Sequence, residues 1–353
     1  MKKWISLLLI LLVGCSSNNG DRNEQIDYQE VTAPQAVEVI AENLQIPWSI
    51  IKWNDTFFIS ERTGSIVRID SQTVRQKVHL EKPLSTAAEA GLLGFVLSPD
   101  FEQSDKAFAY YTYEDSGNQL NRIVTLKLED NEWTEQEILI DRIPSGQYHH
   151  GGRLKIGPDG KLYATTGDAT EPEIAQDLSS LGGKILRLNL DGTIPDDNPF
   201  PNSYIYSYGH RNPQGLTWSP DGTMYASEHG QSAHDEINLI KAGQNYGWPK
   251  IQGDQHFEGM VTPLFHSDSD MTWAPSGMAF HQDKLYVATL RGNAVREFNL
   301  KTSESREVVT GLGRIRDVLI IDDSLYFVSN NTDGRGNPDE SDDKLYKIEL
   351  PIK

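Results

Sequence analysis

The sequence predicts an all-β fold, a six-bladed β-propeller of four-stranded antiparallel blades, and three observations predict it. A strand–turn–strand pattern with an aromatic in its second strand recurs six times along the chain. The repeats lie roughly 40 to 60 residues apart, the period of propeller blades. Long stretches of helical periodicity are absent, while Gly, Pro, Asn and Asp punctuate the chain as a turn-rich β fold requires.

The elements follow in order. The chain opens Met1-Lys2-Lys3, continues with an apolar run from Trp4 to Val13 and reaches Gly14-Cys15-Ser16-Ser17. A basic start, a short apolar stretch and a small residue before the cut predict a secretory signal over residues 1–14. The run is too short for a permanent membrane span. Leu-Val-Gly-Cys resembles the bacterial lipoprotein box, which implies lipidation of Cys15 and an extracytoplasmic, lipid-anchored location. Cys15 is the only cysteine, so no disulfide can form within the chain. Residues 15–35 are polar and aperiodic and predict a flexible tether, leaving 36–353 for the propeller. The formal net charge of −19 repels nucleic acid and anionic membrane, so neither is an expected partner and the membrane is met only through the N-terminal lipid.

Each repeat reads as a hairpin. Ile46-Pro47-Trp48-Ser49-Ile50 leads to Phe57-Phe58-Ile59-Ser60-Glu61, and Gly91-Leu92-Leu93-Gly94-Phe95 to Ala107-Phe108-Ala109-Tyr110-Tyr111. Arg153-Leu154-Lys155-Ile156 passes through Pro158-Asp159-Gly160 to Leu162-Tyr163-Ala164. Gln214 to Trp218 leads to Met224-Tyr225-Ala226, Ser276 to Phe280 to Leu285-Tyr286-Val287, and Arg316 to Ile320 to Leu325-Tyr326-Phe327. Further strands such as Ile185 to Leu190 and Ala294 to Asn299 extend the units.

In a propeller the loops entering the innermost strands crowd one mouth of the channel. Residues at the start of the units therefore converge: Glu89, His149, His150, Arg211, Asn212, Thr272 and Arg316, joined by Arg291 and Arg314. Four arginines in so acidic a chain create a local positive field that focuses a small polyanion. Guanidinium forks grip carboxylates in two-pronged geometry, so the expected ligand is small, flat and rich in carboxylates or phosphates. The third hairpin sets His149 before its first strand and Asp168 after its second, side by side; the pair suits a base and its orienting carboxylate, or is a turn with exposed polar residues. The loop from Ser227 to Asn238 with Gly243 to Pro249 is rich in carboxylates, glycines and carbonyls. It suits calcium, or is a solvated acidic loop; the spacing of His229 and His234 does not suit zinc. There is no Gly-x-Ser-x-Gly elbow, no P-loop and no Gly-x-Gly-x-x-Gly before a helix, which removes support for serine hydrolase, nucleotide hydrolase and nicotinamide readings.

Six stretches together carry a resemblance. They are Gly-Leu-Leu-Gly-Phe (91–95), His-x-Gly-Gly-Arg-Leu-x-Ile-Gly-Pro-Asp-Gly (149–160), Gly-His-Arg-Asn-Pro-Gln-Gly-Leu (209–216), Ser-Glu-His-Gly (227–230), Asp-Glu-Ile-Asn (235–238) and Asn-Tyr-Gly-Trp-Pro (245–249). From about Gln45 onward the chain resembles the soluble glucose dehydrogenase family, and within it the aldose sugar dehydrogenase branch that uses pyrroloquinoline quinone (PQQ). The resemblance implies PQQ at the channel mouth beside calcium, oxidation of an aldose to its lactone, and transfer of electrons to an external acceptor. It implies His149 as base, Asp168 as its orienter, and Arg211 and Asn212 against the quinone oxygens. Arg291, Arg314 and Arg316 are implied to grip the cofactor carboxylates, with Thr272 in the adjoining polar stretch. Gly230 and Gln231 are implied to bind the catalytic calcium, and Glu236 and Tyr246 a second, structural one. Glu89 stands where glucose-active relatives carry an amide, and a carboxylate there repels PQQ unless it is protonated or paired. The segments between units are shorter than in the glucose dehydrogenase itself, which implies an open site and a monomer. A non-catalytic binding or sensing propeller and a calcium-dependent lactonase are the alternatives; the arginine cluster separates the dehydrogenase from the lactonase, which needs no grip on a tricarboxylate.

Overall fold

The computed structural model describes residues 36–351; the expected leader, Cys15 and the tether lie outside them. Six four-stranded sheets follow one another along the chain. The first is β2 (Pro47–Trp53), β3 (Thr56–Glu61), β4 (Ser65–Ile69) and β5 (Thr73–His79). The second is β6 (Leu92–Leu97), β7 (Lys106–Asp115), β8 (Asn118–Glu129) and β9 (Glu132–Pro144). The third is β10 (Leu154–Ile156), β11 (Leu162–Thr166), β12 (Lys184–Leu188) and β13 (Ile205–Tyr208). The fourth is β14 (Pro213–Trp218), β15 (Met224–Glu228), β16 (Glu236–Ile240) and β17 (Phe265–His266). The fifth is β18 (Pro275–His281), β19 (Lys284–Thr289), β20 (Ala294–Asn299) and β21 (Ser305–Thr310). The sixth is β22 (Ile315–Ile321), β23 (Ser324–Ser329), β24 (Leu345–Glu349) and, from the other end of the described chain, β1 (Glu38–Ala41).

All six expected hairpins are present as the first two strands of their blades. Two features lie outside that pattern. Strand β1 pairs antiparallel with β24, Glu38 opposite Lys347, and so closes the ring. The first two blades also merge at their outer edges through a parallel pairing of β5 and β9, Val78 opposite Trp133.

The innermost strands β2, β6, β10, β14, β18 and β22 touch one another in cyclic order around the channel. Glycines admit that approach. A Cβ on Gly94 would strike the Gly152 carbonyl of the third blade, one on Gly215 the Ser276 carbonyl of the fifth, and one on Gly277 the Asp317 carboxylate of the sixth. The core is a set of wedges between neighbouring blades, which explains the aromatic in each second strand. Phe58, Phe95 and Trp133 fill the first wedge, and Tyr163, Leu216 and Met224 fill that between the third and fourth blades. Trp273 meets Phe298 edge-on at 5.2 Å in the next. Truncating one such buried aromatic to Ala costs about 3–5 kcal/mol in a packed core.

The innermost strands of five blades begin with a register shift, among them Pro213/Gly215 and Ile315/Asp317. A bulge bends the strand and re-aims the side chain beside it. At the mouth those side chains are Gln214 and Arg316. The fold thus turns polar residues of strands that would otherwise alternate toward a wedge into the channel opening.

Candidate active site

The third hairpin builds the centre of the mouth. His149 adopts φ 65° and is followed by Gly151 at 64° and Gly152 at 98°, so the chain coils in left-handed conformation just before β10. Gly167 lets this coil lie on the end of β11, since a Cβ there would strike the His149 carbonyl. As a result His149 Nδ1 is 2.7 Å from Asp168 Oδ1. Asp168 is buried; its Oδ1 also accepts from the Thr170 N–H at 2.9 Å and its Oδ2 from the Trp248 indole at 2.8 Å. On the far side of the ring, Arg211 Nη2 is 3.0 Å from His149 Nε2. A guanidinium only donates, so Nε2 is the acceptor and the proton of a neutral ring sits on Nδ1, facing Asp168. The Nε2 lone pair of His149 therefore lies on the side away from Asp168, where it accepts from Arg211. His150 plays another part: Nδ1 bonds the Ser145 hydroxyl at 2.7 Å, and burial pulls its pKa down to about 4, leaving a neutral ring in the wall.

These groups open on a cavity of about 750 Å³, within the range of small-molecule sites. Glu89, His149, Arg211, Asn212 and Gly230 line it together with Thr272, Arg291, Arg314 and Arg316. Asp168 lies behind His149 and does not line it, and neither does Gln231.

The arginines are not equivalent. Arg316 is 5 % exposed, and its Nη1 donates to Gln214 Oε1 at 2.8 Å. Among the described residues Nε has no partner and no carboxylate forms an ion pair with Arg316. Burial, reinforced by Arg62 and Arg314, pulls its pKa down to about 9, the mark of a cation lacking its anion. Arg211 is also free of carboxylate ion pairs: it donates to the His229 carbonyl at 3.2 Å, lies over the Trp248 ring at 5.4 Å and leaves Nε unpartnered. Arg314, by contrast, is bound to Asp333 at 2.7 Å and to the Leu290 carbonyl at 3.1 Å. Arg291 is exposed at the rim. Asn212 Oδ1 accepts from the Gly151 N–H at 3.0 Å while its Nδ2 is unpartnered, and the Thr272 hydroxyl donates to Asp235 at 2.8 Å.

Glu89 is paired. Its carboxylate meets Arg335 at 2.6 Å, and its other oxygen accepts from the His149 N–H at 3.3 Å. Burial alone would raise its pKa, but the hydrogen bond and charge of Arg335 prevail and hold it at about 2. Arg335, Asp333 and Trp248 are the functional neighbours that sequence reasoning missed. The first two lie on the loop between β23 and β24, far from their partners in sequence. Trp248 stands in the quoted Asn-Tyr-Gly-Trp-Pro stretch, but an indole in such a motif reads as packing.

The expected calcium residues divide between two places. Gly230 lines the large cavity and donates its N–H to Asp235 at 3.0 Å, while Gln231 is exposed. Glu236 and Tyr246 line a second cavity of about 10 Å³, ion- or water-sized, together with Glu228. Glu228 and Glu236 are cross-strand partners on β15 and β16. Burial, then the neighbouring Glu228, push the Glu236 carboxyl upward, while Glu228 itself is held by the His210 ring at 2.6 Å. The Tyr246 hydroxyl is spent on the Leu239 carbonyl at 2.7 Å and the Lys241 N–H at 2.8 Å, so only its backbone carbonyl is available to a metal. Among the described residues no three His, Cys, Asp or Glu side chains are gathered as a metal cage. A cation here would draw on backbone oxygens, which suits a hard ion such as calcium and not zinc.

The chain is similar to known proteins. A family profile described as Glucose / Sorbosone dehydrogenase matches residues 44–342. The chain is 31% identical to Aldose sugar dehydrogenase YliI of Escherichia coli (strain K12) over 358 residues, covering 88% of this chain and 92% of that one. It is 36% identical to Quinoprotein glucose dehydrogenase B of Acinetobacter calcoaceticus over 251 residues, a match spanning 61% of this chain but only 52% of that relative. Among solved structures, the PQQ-bound aldose sugar dehydrogenase of Streptomyces coelicolor superposes with a TM-score of 0.83 at 36% identity, covering 90% of this chain and 99% of the other.

Proposed function

The chain belongs to the glucose/sorbosone dehydrogenase family, and on that premise we propose that it is a PQQ-dependent, calcium-supported dehydrogenase that oxidises aldoses at the anomeric carbon to lactones. The observation that carries the proposal is a base at the cavity wall, His149, backed by its orienter Asp168, in a cavity whose Arg316 and Arg211 have no carboxylate ion pair among the described residues. A flat tricarboxylate fits the charge of that lining: Arg316 and Arg211 face the cavity with no carboxylate ion pair among the described residues, and Asn212 stands beside them. Arg316 and Arg291 would hold its carboxylates, with Arg314 contributing charge already shared with Asp333. Arg211 and Asn212 would face the quinone oxygens, and Thr272 the adjoining polar edge.

Bound PQQ supplies a two-electron acceptor for the hydride of the sugar's C1. The chain handles the proton. His149 Nε2 takes it from the C1 hydroxyl, Asp168 stabilises the imidazolium that forms, and Arg211 releases Nε2 to the substrate while offsetting negative charge opposite. The pairing of Glu89 with Arg335 removes the repulsion a bare carboxylate would exert on the cofactor. Gly230 and Gln231 would offer backbone oxygens to the catalytic calcium; Glu236 and the Tyr246 carbonyl would hold the second ion.

The leader and Cys15 support an extracytoplasmic, lipid-anchored enzyme, and release of a Cys15→Ser chain into the soluble fraction is the expected result. The acceptor of electrons is external to the chain, and the short inter-blade segments support a monomer, which sedimentation would check. The test of the chemistry is His149→Ala. PQQ binding is expected to persist while aldose-dependent dye reduction falls about 10²- to 10⁴-fold, the typical contribution of a positioned base. Full turnover in that variant would remove His149 from the base role. Binding of PQQ by the parent chain without any sugar oxidation would instead favour the binding module.

A further inference from the structure

We infer that Trp248 is a positioning residue for the base, acting on both side chains that touch the His149 ring nitrogens. The inference takes its chemistry from the dehydrogenase reading above, while its geometry stands apart from it. The buried indole Nε1 donates to Asp168 Oδ2 at 2.8 Å, and the other oxygen of that carboxylate holds His149 Nδ1 at 2.7 Å. The face of the same indole carries the Arg211 guanidinium at 5.4 Å, and Arg211 Nη2 is 3.0 Å from His149 Nε2. One side chain thus restrains the imidazole from both ends.

The restraint is itself anchored. The Trp248 N–H donates to the Gly209 carbonyl at 2.9 Å, and its carbonyl accepts from Gln176 Nε2 at 2.6 Å. Gln176 is fixed in turn by Asn245 through bonds of 3.0 and 2.8 Å. A buried indole N–H takes an acceptor wherever it packs, and here that acceptor is the carboxylate that holds the base. Asp168 is 1 % exposed, and among the described residues Oδ2 accepts from no other group, so removing the indole N–H leaves a buried oxygen unsatisfied. The carboxylate then rotates toward another donor and takes the His149 ring with it. Arg211 and Glu89, which hydrogen-bond to His149, form no hydrogen bond with Asp168 Oδ2, and neither His150 nor Tyr148 donates to it.

The test separates the N–H from the ring. Site-specific incorporation of 3-benzothienylalanine at position 248 keeps the bicyclic shape and replaces N–H by sulfur; Trp248→Phe is the companion variant. With PQQ, calcium and an aldose, kcat is expected to fall on the order of 10- to 100-fold, the worth of one hydrogen bond to a charged group. KM and PQQ affinity are expected to stay near parent values. Without cofactor, the proton spectrum of the parent chain should show a downfield Nδ1–H resonance, assigned by its loss in His149→Ala. That resonance should broaden or vanish in the benzothienyl protein. Unchanged kcat with an unchanged resonance would overturn the inference. So would a loss confined to KM or PQQ affinity, which would make Trp248 a cofactor wall. If the parent chain oxidises no aldose, the dehydrogenase reading fails, yet the resonance still decides the role of Trp248.

Discussion

Arg153 in the channel and Arg316 at its mouth are both arginines almost out of reach of water, at 1 % and 5 % exposure, and both touch Gln214. Their surroundings differ in one respect. Arg153 donates to Asp317 at 3.0 Å and to the Gln214 carbonyl at 2.8 Å, and its guanidinium lies 4.2 Å from the Trp48 ring centroid. Asp317 also accepts from the Ile50 N–H at 2.8 Å, so this carboxylate ties the first, third and sixth blades across the channel. Arg316, the residue just before Asp317, meets only an amide and a hydroxyl. The bulge between Ile315 and Asp317 sends these neighbours to different places, one into the staple and one into the cavity. Burial therefore does not separate these two arginines. The presence of a carboxylate does.

The comparison breaks most visibly at Asp317. Asp317→Ala leaves Arg153 charged and unpaired in the channel, and stability is expected to fall by about 3–5 kcal/mol, read by denaturant unfolding. An unchanged midpoint would mean the staple is dispensable. Arg316→Met should do the reverse. Its stability is expected to be equal to or above that of the parent, because an uncompensated buried charge is removed, while PQQ affinity falls on the order of 10- to 100-fold. Arg314→Met sharpens the contrast, since Asp333 already shares that cation: a smaller loss of PQQ affinity is expected together with a loss of stability, measured by the same titration and unfolding. The smallest effect concerns pH. Glu89 has a folded pKa of about 2 against a usual 4.5, so it contributes stability that is present above about 4.5 and lost as pH falls toward 2. In Arg335→Met that acid-side contribution should shrink, because burial is then no longer opposed; thermal melts from acid to neutral pH would show it.

Much of the fold is legible because each blade repeats the same local chemistry: a turn of fixed φ preference between two strands, the second with an aromatic for the wedge. The pairing of His149 with Asp168 is legible for the same reason, since a hairpin brings its own ends together. What escapes is non-local. Glu89 and Arg335 meet across the mouth from opposite ends of the chain, and Asp333 reaches back to Arg314, so sequence reasoning groups Arg314 with the free cations although it is already paired. Strand β1 closes the ring from a short Glu-Val-Ile-Ala stretch that carries no hairpin signature of its own. The role of the Trp248 N–H depends on where its ring is aimed, which no periodicity records.

The central claim is that the unpaired arginines at the mouth await a small, flat polycarboxylate. The most direct measurement is a titration of the purified chain with PQQ in the presence of calcium, followed by cofactor absorbance and then by aldose-dependent dye reduction. The account predicts saturable one-to-one binding at micromolar PQQ or below, abolished or strongly weakened by Arg316→Met, with reduction on adding sugar. No binding at micromolar PQQ to a folded chain would contradict it.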